Sequence, residues 1–131
     1  MELKHARKNL RWFKLWSVIG WLIITSVIYL SLTPDPIEID MEQGDKLGHI
    51  LAYFVMMIWF SQLYLRRMHA WLASGFIALG IILEYVQGWS GYRDFEYMDM
   101  LADAIGVTVA WVLGGTMMAR LLISLERKLS T

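Results

Sequence analysis

The chain is predicted to be all-α: a bundle of four membrane-spanning helices forming one domain over residues 1–131. Three observations carry this. Of the 131 residues, 57% are hydrophobic, and the mean hydropathy of +0.45 is more apolar than a soluble domain of this length would show. The apolar residues fall in four stretches, 13–32, 47–65, 70–87 and 99–123, and each approaches the ~20 residues that cross ~30 Å of hydrocarbon. The segments between them alternate in charge, as four crossings require.

The first stretch follows a basic leader of Lys4, Arg7, Lys8, Arg11 and Lys14. A signal peptide would look similar at its start. The apolar run is long for one, however, and no small-residue cleavage site follows, so a retained span is expected. Thr33-Pro34-Asp35-Pro36 ends it as an extended turn. The third stretch is the shortest of the four. Trp12, Trp16, Tyr29, Tyr64, Trp71, Tyr85 and Trp89 lie near span ends, as interfacial aromatics do.

Orientation follows from Lys and Arg. The N-terminal segment is basic, Arg66 and Arg67 sit between spans two and three, and Arg120, Arg127 and Lys128 close the chain. The first loop instead carries Asp35, Glu38, Asp40, Glu42 and Asp45, with Lys46 its basic residue. The third carries Arg93 among Asp94, Glu96 and Asp99. Both termini are therefore expected in the cytoplasm, and both acidic loops outside. The formal net charge is +0 and cysteine is absent. Net charge thus gives no reason to expect a nucleic-acid partner, and disulfides and cysteine-based metal or redox sites are excluded.

Ionisable groups near a bilayer are costly and mark functional candidates. Three blocks converge on the outer face. Asp45 and His49 differ by four and share a helical face, which continues to Tyr53. Asp45 could simply cap its helix and Lys46 snorkel to headgroups, but His49 lies a turn inside, where its bland alternative is a core histidine bonded to a carboxylate. Glu84 and Gln87 share a face with Gly80 and Ala73, so Glu84 faces other helices, either as a working acid or as an interhelical hydrogen bond. Arg93 precedes Asp99, which could cap the fourth span, and Asp103, which lies a turn deeper and needs an offsetting partner: Arg93, Lys46 or His49. Ala102, Gly106, Ala110 and Gly114 form a small-residue packing face, for internal contact or for a homo-oligomer.

The blocks Asp45-Lys46-x-x-His49-x-x-x-Tyr53, Glu84-x-x-Gln87, Gly91-x-Arg93 and Asp99-x-x-Ala102-Asp103-x-x-Gly106 together resemble the VanZ-like family of small bacterial membrane proteins, in order and spacing from about Asp45 to Gly114. One departure is Asp103, where the family pattern more usually has Asn. The resemblance implies a multi-pass protein of the bacterial cytoplasmic membrane, associated with resistance to teicoplanin, an antibiotic with a lipid tail.

Several functions fit. The chain could bind or modify a lipid-linked or lipoglycopeptide amphiphile of the outer leaflet, with Arg93 and Lys46 holding an anionic head. It could be an intramembrane enzyme, with His49 as general base oriented by Asp99 or Asp103 and Glu84 as acid. A metal on His49, Glu84, Asp99 and Asp103 would have permitted ligand types but no recognised spacing, and neither metal nor other cofactor is expected. A proton-coupled exporter fits poorly, because such proteins place their acids near the midplane. A structural subunit is the bland alternative.

Overall fold

The computed structural model describes residues 7–34, 44–91, 93–116 and 120–130. Acids 35–42 of the first loop, and Lys4, lie outside them.

Five helices occur among these residues, four of them long and apolar enough to cross a membrane. Helix α1 spans Phe13–Leu32, α2 Gly44–Leu63, α3 His69–Ser90, α4 Tyr97–Gly114 and α5 Leu121–Leu129. A 3-10 turn over Arg66–Met68 leads into α3. No strand is present among the described residues, only an isolated antiparallel bridge between Arg7 and Tyr64.

The ends of the helices have local causes. Thr33 is extended, with φ −69° and ψ 141°, as a residue before proline tends to be, and α1 stops there. Gly91 closes α3 with φ +81°. That left-handed conformation is costly for a residue with a Cβ, and it turns the chain back across the end of α3.

Helix α2 is central and packs most extensively on α4. The contact is close because of one glycine: a Cβ on Gly106 would lie 2.3 Å from the Ile50 carbonyl oxygen. Tyr53, Met56, Met57, Phe60, Phe76, Val107 and Ala110 fill the core, with the Phe60 and Phe76 rings 5.5 Å apart, edge to face. Helix α1 is peripheral and buries only Trp16, Gly20 and Val27.

Three stretches differ from the sequence expectation, the first being 47–65, whose helix starts and ends earlier, over Gly44–Leu63. The stretch 70–87, expected to be the shortest span, belongs to a helix of 22 residues that carries Glu84 and Gln87 within it. The stretch 99–123 is not one helix. Its span starts earlier, at Tyr97, and stops at Gly114, where the Gly115 N–H turns back to the Val112 and Leu113 carbonyls. Leu121–Leu129 is a separate helix, tied to the start of α1: the Glu126 carboxylate accepts from the Arg11 and Trp12 backbone N–H groups, each at 2.9 Å, and from the Trp16 indole at 2.7 Å. It thereby satisfies donors that helix starts leave unpaired.

Candidate functional site

The polar residues gather where α2 and α4 begin and α1 and α3 end. Asp45 lies in the first turn of α2, and its carboxylate is 2.7 Å from the Lys46 ammonium. Lys46 also pairs with Glu96 and Asp99. Asp99 therefore does not cap α4. The N-cap is Glu96, which makes no side-chain cap bond, and Asp99 reaches across to α2.

His49 stands one turn deeper. Its Nδ1 is 2.7 Å from Asp103 Oδ1, and its Nε2 is 3.6 Å from Asp99 Oδ2. Asp103 is buried by α3 as well: a Cβ on Gly80 would lie 2.7 Å from Asp103 Oδ2. The missing side chain at Gly80 is what gives this carboxylate its place. Glu84 is 1% exposed and accepts from the Glu96 backbone N–H at 2.8 Å. Tyr53 is buried within electrostatic reach of Asp103 and Glu84.

Asp45, Lys46, His49, Tyr53, Glu84, Asp99 and Asp103 thus converge as the spacing suggested. Gln87 and Arg93 do other work. Gln87 Nε2 donates to the Ser31 carbonyl at 2.6 Å. Arg93 Nη1 donates to the carbonyls of Ser31 at 2.9 Å and Leu30 at 3.2 Å. These side chains satisfy the last turn of α1, whose carbonyls lack helical partners and carry the negative end of its dipole. They tie α1 to the site without entering it.

Glu96 is the addition. It links Lys46 through its side chain and Glu84 through its backbone. A faint signal was available, since it lies three residues before Asp99. Among the described residues, the acids close enough to share a cation are Asp45, Glu96 and Asp99, with ligand oxygens within 4.8 Å of one another. The Lys46 ammonium bonds all three, and this group differs from the His49-based set considered above.

The chemistry available centres on His49. The Asp103 carboxylate at Nδ1 holds the ring in one orientation and leaves Nε2 without a short partner. Nε2 is beyond hydrogen-bond distance of Asp99, so it can meet a hydroxyl. Around it the carboxylates of Asp45, Glu84, Glu96, Asp99 and Asp103 outnumber the cations.

The chain matches no family model, no curated protein and no solved structure in the comparisons made.

Proposed function

We propose that this is a VanZ-like protein of the bacterial cytoplasmic membrane that binds the polar head of an amphiphile at the extracytoplasmic lipid boundary. His49 is its central contact. The observation that carries this reading is the 2.7 Å His49–Asp103 pair, held between α2 and α4 with the other ring nitrogen unengaged by a short bond. The lipid-tailed ligand class follows from the family resemblance, and the outward placement from the Lys and Arg distribution.

The charge balance refines the ligand. Lys46 is held by three carboxylates, and Arg93 by α1, so an anionic head would have to displace existing partners. A head rich in hydroxyls suits the site better, because carboxylates accept from hydroxyl donors. A sugar-bearing lipid or lipoglycopeptide is such a molecule.

Native mass spectrometry of the protein in mild detergent tests this. A discrete lipid adduct is expected on the wild type, absent from His49→Ala and retained, with faster loss, by Arg93→Ala, since Arg93 acts through α1. A bare wild-type protein, or an adduct indifferent to His49→Ala, overturns it.

A second reading rests on the same pair. A histidine oriented by aspartate is also a general base. Turnover of an envelope lipid that His49→Gln abolishes while the adduct persists would make the protein an enzyme.

A further inference from the structure

Helix α5 plays no part in that site and lies at the opposite end of the molecule, against the start of α1. It has three distinct sides. At about 100° per residue, Leu122 and Glu126 fall together, and both are buried against the bundle. Leu121, Leu125 and Leu129 fall beside them, within an arc of about 80°, and are 52%, 41% and 58% exposed. Arg120 and Arg127 lie roughly opposite that stripe and are exposed. Lys128 borders the stripe, also exposed.

An isolated nine-residue helix in water would leave these leucines unsatisfied, and it would be too short to hold together without tertiary support. The support is visible on one side only, through Leu122, Glu126 and the Leu121 N–H, which donates to Gln62 Oε1 at 3.1 Å. The four spans place this end of the molecule at a membrane surface. A leucine stripe with arginines opposite and a lysine at its edge is the arrangement of a helix lying in the lipid interface. Its positive charges complement anionic headgroups.

We infer that α5 is an interfacial anchor: Leu121, Leu125 and Leu129 enter the acyl boundary of the leaflet at the α1 start, and Arg120, Arg127 and Lys128 engage anionic phospholipid. The Glu126 contacts to α1 fix its rotation so that the leucines, and not the arginines, face lipid.

The absence of cysteine makes the test clean. Leu125→Cys, Leu129→Cys and Ser124→Cys are each labelled with an environment-sensitive fluorophore. The full chain is placed in bilayers of phosphatidylcholine with phosphatidylglycerol, or of phosphatidylcholine alone. Labels at 125 and 129 are expected to lose most of their emission to a nitroxide on the acyl chain and little to aqueous iodide. The label at 124 is expected to show the reverse. Lipid quenching at 125 should fall in phosphatidylcholine alone, and equally in an Arg120→Gln/Arg127→Gln background.

Iodide reaching 125 and 129 as readily as 124 would place the helix in water and overturn the anchor. Protection at 125 from both quenchers, with cross-linking of Leu125→Cys between chains, would identify a second copy as the occupant and overturn it equally. Quenching that ignores lipid charge would remove the anionic lipid from the inference. All three labelled positions are exposed, and two report the same stripe, so one poorly folded variant does not decide the result.

Discussion

Asp103 is the most constrained acid of the site, and its environment yields a sharp prediction. It is 2% exposed, bonded to His49 and packed against Gly80. Gly80→Ala puts a methyl 2.7 Å from Oδ2, so the carboxylate that meets His49 through Oδ1 must shift. Overpacking of this kind costs about 1–3 kcal/mol, and binding should fall further than stability. Melting in detergent, with adduct retention measured in parallel, checks both. Much of this constellation was readable beforehand. The four-residue step from Asp45 to His49 placed them on one face, and the depth of Asp103 demanded a partner. The choice among Arg93, Lys46 and His49 was not readable, because it depends on how α2 and α4 rotate about each other. Arg93 illustrates why. Its partners are backbone carbonyls of α1, which every residue possesses and no sequence pattern marks. Glu96 escaped for a related reason: its backbone N–H, as much as its side chain, joins it to the site.

Between helices, glycine sets the spacing. The contact at Gly106 is with backbone at Ile50 and Phe54, which cannot rotate aside as a side chain can. Gly106→Ala should therefore destabilise more than Gly80→Ala. Gly75→Ala meets nothing within 4 Å and should be neutral or stabilising by about 0.5–1 kcal/mol, the ordinary helix-interior difference. An order of melting temperatures other than Gly75→Ala, Gly80→Ala, Gly106→Ala from high to low would contradict the packing described. The α4–α5 break was hidden in the sequence because the apolar run carries on through Leu121–Ile123. Gly114-Gly115 was its available sign, and it read equally well as part of a packing stripe. The use of Glu126 could not be foreseen at all, since it caps a helix that begins more than a hundred residues earlier. Burial by itself would raise the Glu126 carboxyl. The Trp12 N–H, the Trp16 indole, the Arg11 N–H and the Arg11 charge outweigh burial and hold it below the usual carboxylate range. A depressed pKa stabilises the docked state above the unfolded-state value, and that contribution is lost as pH falls through the folded one. A spin label at Ser124→Cys should stay immobile at neutral pH and loosen only below the ordinary glutamate range. Glu126→Ala should loosen it at every pH, at a cost of about 1.5–3 kcal/mol for bonds to a charged group.

Across the whole molecule the two ends carry opposite chemistry. At one lie the carboxylates around His49. At the other, the segment before α1, the turn before α3 and the start of α5 bring basic residues together. Arg66 borders Gly115, and Lys8 lies close enough to Arg120 that burial, and then that charge, hold its ammonium below the usual lysine range. The four long apolar helices were legible because length and apolar composition are properties of each segment alone. The gathering of charge into two poles was legible only as alternation along the chain, and the folded molecule turns that alternation into a field. The orientation we propose from the Lys and Arg distribution puts the basic pole in the cytoplasm. With four crossings, that proposal puts both described chain ends on the cytoplasmic side and the His49 site on the other. In intact cells, Asp94→Cys should react with a membrane-impermeant maleimide, and Ser130→Cys should react only after permeabilisation. The reverse pattern would place the site inside the cell, where no outer-leaflet amphiphile reaches it. Labelling of both positions from outside would break the four-span count itself.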